Sequence, residues 1–162
     1  MLNEEQKYLI RELNSYNYLH QKLCDMTEAY AHSMRYIDEK IKEIDIQLNE
    51  YHVPGISYDS VSVKSVPTSK NSRVLELINE QDNLKKRKSR LKAVQEKEIE
   101  KLTTRIDDAN AMINNLDKWE FQFIWDMYIV PKGIDFMKDN YHYSRTNVFK
   151  KATKLLNKML KK

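Results

Sequence analysis

The chain has 162 residues, with 28 Lys and Arg against 24 Asp and Glu, a formal net charge of +4, and 32% of its residues charged. Only two Gly and three Pro are present, which speaks against a turn-rich sheet fold and for long helices. Cys24 is the single cysteine, so an intramolecular disulfide is excluded and a reducing cytoplasm suits the chain; the charged and polar first residues give no signal peptide, and no apolar run approaches the roughly 18 residues of a membrane span.

Residues 3–50 contain neither Pro nor Gly. Leu9, Leu13, Tyr16, His20, Leu23, Thr27, Tyr30, Met34, Ile37, Ile41, Ile44 and Leu48 follow one another at alternating spacings of four and three. This predicts one long helix with a narrow apolar seam of about six heptads, buried on a partner helix. His20 and Thr27 interrupt the seam, and polar residues at such positions set register or oligomer state. His20 and Cys24 share a face, but two donors fall short of a multi-ligand metal site. No metal and no cofactor are expected.

Tyr51-His52-Val53-Pro54-Gly55 stops this helix. From Ile56 to Pro67, Ile, Tyr and Val alternate with Ser, Asp and Lys, which fits either a short extended segment or a long loop. A connector running over the surface is the ordinary role of such a stretch, although loops of this length also carry function. A second long helix is expected from Asn71 or Ser72, either of which can cap it, to about residue 118. Val74, Leu77, Leu84 and Leu91 form its seam, and Ile99, Leu102, Ile106, Ala109, Ile113 and Leu116 resume it after a stutter. Lys85-Lys86-Arg87-Lys88, Arg90 and Lys92 make a basic cluster. It reads as a solvated face balanced by acidic residues of the first helix, with contact to DNA or a polymerase as the alternative. Glu96, Glu98 and Glu100 read as solvated too, not as an acid/base pair.

Trp119, Phe121, Phe123, Ile124, Trp125, Met127, Tyr128, Ile129 and Val130 are the richest apolar stretch. It predicts a core helix running on from the hairpin, or joined by a slight kink, and packing under Phe136, Val148, Phe149 and Leu155. Pro131 and Gly133 end it. A short apolar helix through Ile134, Phe136, Met137 and Tyr141 is followed by a turn at Tyr143 and an N-cap at Ser144. From Arg145 the pattern is helical again: Val148, Ala152, Leu155 and Met159 share a face, widened by Phe149, Leu156 and Leu160. Arg145, Lys150, Lys151, Lys154 and Lys158 lie opposite. Residues 131–162 hold eight Lys and one Arg against Asp135 and Asp139, a net +7 that leaves −3 for the first 130 residues. A basic end on a mildly acidic body is the footprint of a polyanion-binding protein.

Helix, tight turn and basic helix suit a helix-turn-helix, whose second helix offers its N-terminal residues to the major groove. Arg145 can fork onto guanine, Asn147 can pair with adenine, and Thr146 can hydrogen-bond or touch a thymine methyl. Ser144 opens the helix, and Lys150, Lys151 and Lys154 suit phosphates. An amphipathic tail helix lying in solvent or on an anionic membrane is the competing reading.

The run Ser144-Arg145-Thr146-Asn147-Val148-Phe149-Lys150-Lys151, then Lys154-Leu155, resembles the recognition helix of region four of bacterial sigma factors. Phe123-Ile124-Trp125-Asp126-Met127-Tyr128 resembles the helix before it, while Asp135-Phe136-Met137-Lys138-Asp139 stands where such domains carry Glu-Ile-Ala. Tyr58-Asp59-Ser60-Val61-Ser62-Val63, with Ser65 and Pro67 after it, resembles small ArpU- and RinA-like late transcription regulators of phages of low-GC Gram-positive bacteria. That resemblance implies a helical hairpin, a loop and a C-terminal sigma-region-four-like helix-turn-helix, and regulation of late phage genes through DNA.

The expectation is therefore an all-α chain: a long coiled-coil-like hairpin over 1–118 with its connector at 51–70, then a helix-turn-helix domain over 119–162. No phosphate loop or nucleophile motif is present, and the chain is not read as an enzyme. It is expected to bind double-stranded DNA in the bacterial host cytoplasm as a transcriptional regulator, an activator of late genes, with no membrane partner. Its hairpin would dimerise the chain or contact RNA polymerase. A small terminase-like packaging protein and a coiled-coil scaffold or inhibitor without DNA are the alternatives.

Overall fold

The computed structural model describes residues 2–51 and 69–161, except for the side chains of residues 69–71. These residues build an all-α fold in the order α1 (Glu4–Glu50), α2 (Ser69–Ile113), α3 (Lys118–Ile124), a π-helical turn (Trp125–Ile129), α4 (Ile134–Tyr141) and α5 (Arg145–Leu160). No strand occurs among the described residues. No helix among them is long and apolar enough to cross a membrane.

Helix α1 spans what its unbroken seam predicts. Asn3 accepts from the backbone N–H of Gln6 at 2.7 Å, and Gln6 Oε1 accepts from the Asn3 N–H at 2.9 Å. This reciprocal cap satisfies two otherwise orphaned donors. Leu9, Leu13, Ile37, Ile44 and Leu48 of the seam are buried, whereas its polar member Thr27 is exposed. The expected connector, with its Tyr58–Val63 run, lies outside the described residues apart from its ends. Helix α2 begins at Ser69, so Asn71 and Ser72 sit inside it and not at its cap.

Helix α2 ends at Ile113, earlier than expected, and the apolar stretch after it is not a continuation of the hairpin. A turn over Asn114–Leu116 intervenes, closed by the Leu116 N–H on the Ile113 carbonyl at 3.0 Å. The side chains here take backbone partners that compete with helix. Asn115 donates to the carbonyls of Met159 and Lys161 at 3.4 and 3.3 Å, and Asp117 caps α3 by accepting from the Glu120 N–H at 2.9 Å. The Glu120 side chain returns the bond to the Asp117 N–H. Such a box fixes a new helix start regardless of the apolar residues beyond it.

The chain packs as two compact units, residues 26–98 and residues 1–25 with 99–162. Within residues 26–98, the two helices run antiparallel, as the pairs Tyr30–Glu96, Asp38–Lys88 and Asp45–Gln81 require. The buried cluster of this unit is small: Ile44, Leu48 and Leu77. The other unit has one larger core. Leu9 and Leu13 of α1 and Ile113 of α2 meet Phe123, Ile124, Met137, Val148, Leu155 and Leu156 there. Three polar contacts tie α1 into this unit: Glu12 receives both arms of Arg105 at 2.6 and 2.7 Å, Gln6 donates to Asn157 at 2.7 Å, and the Tyr16 hydroxyl donates to Asn110 at 2.5 Å.

Candidate nucleic-acid interface

The candidate site is built on α4, the turn after it and α5. His142, at the end of α4, has left-handed φ and ψ of 55° and 38°. Histidine tolerates this region better than β-branched residues do. The chain thus reverses within His142–Tyr143–Ser144, a length typical of a helix-turn-helix. Ser144 is the N-cap of α5, its Oγ accepting from the Asn147 N–H at 3.3 Å. This is the role expected of Ser144, and it leaves the first turn of α5 ordered with its side chains free.

One face of α5 is closed. Val148, Ala152, Leu155, Leu156 and Met159 are buried, as their spacing predicts. Arg145, Thr146, Asn147, Lys150 and Lys154 are exposed. Thr146, Lys150 and Lys154 recur every four residues and face directly away from the core. Phe149 does not join the core. It is 45% exposed and lines a shallow groove with Arg145, Thr146, Lys150 and Thr153. Phe136, expected above the same core, is also exposed at 37%. The reason is angular: Phe149 is four residues from both Arg145 and Thr153, so its row borders the solvent side of the core row. That i, i+4 relation carries the signal in the sequence, even though aromatic rings bury large areas and usually go to the interior.

Lys151 and Lys158 stand on the other flank, against α3. The Lys151 ammonium lies 4.7 Å from the centroid of the Trp119 ring, and Lys158 pairs with Glu120. Trp119 itself is 43% exposed, so it serves as a platform for a cation and not as core. Of the seven expected DNA-binding residues, Arg145, Thr146 and Lys150 share the groove. Asn147 and Lys154 are exposed but lie outside it, Ser144 caps the helix, and Lys151 is held on the α3 flank.

A buried carboxylate sets the angle at which α4 leaves the preceding turn. Asp126 is 2% exposed. It accepts from Tyr141 at 2.7 Å and Gln122 at 3.1 Å, and pairs with Lys132 at 3.0 Å. Its own carbonyl accepts from the Lys132 N–H at 3.0 Å. One residue therefore joins α3, the Pro131–Gly133 link and the end of α4. The π-helical turn fits this role: the Val130 N–H reaches the Trp125 carbonyl at 2.8 Å, and Pro131 then forbids further helix. Burial pushes the Asp126 carboxyl up, but the bonds from Tyr141, Lys132 and Gln122 outweigh it and hold it below the ordinary value. Burial and the neighbouring Asp126 charge push the Tyr141 hydroxyl well above its ordinary value.

No family model, curated protein or solved structure matches the chain. The site is therefore read from its own chemistry. It is a convex, cationic helix face with amides, hydroxyls and one aromatic ring, which suits the surface of a nucleic acid.

Proposed function

We propose that the chain is a sequence-specific DNA-binding regulator of transcription, with α5 as its recognition helix. The observation that carries this reading is the exposed first half of α5. Arg145, Thr146, Asn147 and Lys150 project from a helix whose opposite face is locked into a core. A rigid helix with free guanidinium, amide and hydroxyl groups at its N-terminal end is what the major groove accepts. The resemblance of Ser144–Lys151 to sigma region four, and of Tyr58–Val63 to phage late regulators, supports activation of late genes in a bacterial host as the particular role.

The two-helix unit is the proposed site of dimerisation or polymerase contact. Tyr36 and Ile46 there are 48% and 61% exposed, and a second copy would pair two recognition helices and raise affinity through effective concentration. The test is selection of bound fragments from random duplex DNA, followed by a reporter driven by the selected sequence. Enrichment of one motif, lost in Arg145→Ala and Asn147→Ala chains that stay folded, supports the reading. Absence of any enriched motif would make α5 a packing or partner-binding helix and move the scaffold alternative to first place.

A further inference from the structure

The basic run of α2 is solvated, as its sequence suggests, but it is not balanced by acidic residues of the first helix beyond one pair. Residues 83–95 hold six cations and no carboxylate. Lys88 alone of these is paired, with Asp38 at 2.5 Å. Lys85, Lys86, Arg87, Arg90 and Lys92 are exposed and have no acidic partner among the described residues. The nearest carboxylates along the helix, Asp82 and Glu96, lie beyond the two ends of the run. Helical geometry places Lys86, Arg87 and Arg90 along one flank of the Leu84–Leu91 seam, where they border one shallow groove with Leu91 and Val94. The stretch is about 18 Å long at 1.5 Å per residue.

We propose that this face of α2 is a second binding surface, for the phosphate backbone of duplex DNA, independent of α5. Unpaired like charges on one helix face repel one another, and a polyanion removes that cost. Duplex DNA offers one negative charge about every 1.7 Å of its axis, so the cationic row from Lys85 to Lys92, about 10 Å long at 1.5 Å per residue, meets several phosphates and releases their counterions. An acidic protein is the weaker fit. The affinity of protein interfaces rests on buried aromatic and apolar anchors, and here the apolar elements are the half-buried Leu91 and Val94, 60% exposed, in an open groove without an aromatic ring. Contacts to phosphates carry no sequence information, so the surface contributes affinity without sequence preference.

The test uses the full chain, a labelled 30-base-pair duplex of arbitrary sequence and a salt series. Lys86→Ala/Arg87→Ala/Arg90→Ala is expected to flatten the log–log salt slope by about two to three units and to weaken binding more than tenfold at low salt. Its helical circular dichroism and melting should stay as in the parent chain. Lys86→Arg/Arg90→Lys should keep the parent slope, because only charge is used. Each variant is also made in a Lys150→Ala/Lys154→Ala chain, where the same loss of slope is expected. Failure of the α5 reading and failure of this one then show separately. An unchanged slope in the triple variant overturns the proposal. So does polyglutamate competing as well as duplex DNA for the parent chain but not for the triple variant, which would assign the face to acidic proteins.

Discussion

The two units of this molecule both present unpaired cations, but they hold them on different foundations. In the unit of residues 26–98, two antiparallel helices enclose little more than Ile44, Leu48 and Leu77. In the unit around α5, segments from five helices converge on Phe123, Ile124, Met137, Leu155 and Leu156, all essentially inaccessible. A two-helix seam fixes a charge row along a line and no more. A many-sided core fixes the position and rotation of a helix, which reading individual base edges requires and holding phosphates does not.

The largest effect that would break this comparison lies in the cores. Phe123→Ala removes a fully buried ring that meets Tyr141 at 4.9 Å between centroids. It should cost about 3–5 kcal/mol, because neighbours on every side cannot collapse into the void. Leu77→Ala, equally buried at 1% exposure, should cost about 2 kcal/mol, the lower end for such changes, because two helices can close on a gap. Urea unfolding followed by circular dichroism measures both. Equal losses would mean that the two-helix unit is as constrained as the other, and the contrast would fail.

Much of this fold is legible in spacing alone. The seam from Leu9 to Leu48, the cap at Ser144 and the stripe Val148–Met159 need only period and capping chemistry. Three features are not legible, each for a physical reason. The helix break at Asn114–Asp117 rests on side-chain bonds to Met159, Lys161 and Glu120, which a helical period cannot register. Leu9 and Leu13 belong to the seam in sequence, yet they also complete the core beneath α5, a contact made across the whole length of the chain. The exposure of Trp119 depends on angles between helices, and periodicity says nothing about which neighbour covers a flanking row; for Phe149 the i, i+4 relation to Arg145 and Thr153 does carry a signal. In the candidate site, the exposure of Arg145, Thr146, Asn147, Lys150 and Lys154 follows from the helical period, whereas the Asp126 network that joins α3 to α4 leaves no local pattern.

That network gives the next prediction, in pH. The Asp126 carboxyl is held below its ordinary value in the fold. Its contribution is therefore fully present above the unfolded value of about 4 and is lost as pH falls through the folded value. Tyr141 is shifted the other way; its contribution is complete below about 10 and is lost as pH rises through the higher folded value. Melting temperature against pH should fall at both ends in the parent chain. Asp126→Asn should flatten the acid limb and Tyr141→Phe the alkaline one. Unaltered limbs in both variants would show that α4 does not depend on this pairing. The two-helix unit has no carboxylate so deeply enclosed among its described residues, and its hydrogen exchange should be less sensitive to acid.

Base reading should give a smaller change. Arg145→Ala or Asn147→Ala should each cost about 1–3 kcal/mol on the selected site and relax preference at one base pair. Both side chains are exposed, so folding stability should stay within about 0.5 kcal/mol of the parent. Anisotropy titrations on the selected duplex and on single-base variants of it measure this. Loss of affinity without relaxed preference would demote these residues to backbone contacts.

The smallest expected effect is the one that bears most directly on the contrast between reading and holding. Lys150 and Lys154 are exposed on the row opposite the α5 core, while Lys151 is engaged over Trp119. Lys150→Ala or Lys154→Ala should weaken selected and arbitrary duplexes alike and flatten the salt slope by about one unit each, the signature of one lost phosphate contact. Lys151→Ala should change the slope less, since its ammonium already lies against an aromatic face and faces α3 more than the groove. A cation over an exposed ring contributes on the order of 0.5–1 kcal/mol, so the same variant should show a small loss of stability where the other two show none. If Lys151→Ala instead removes a full unit of slope and leaves stability unchanged, the α3 flank is part of the DNA-facing surface. The interface would then extend across Trp119, and it would no longer be confined to the row marked by Thr146, Lys150 and Lys154.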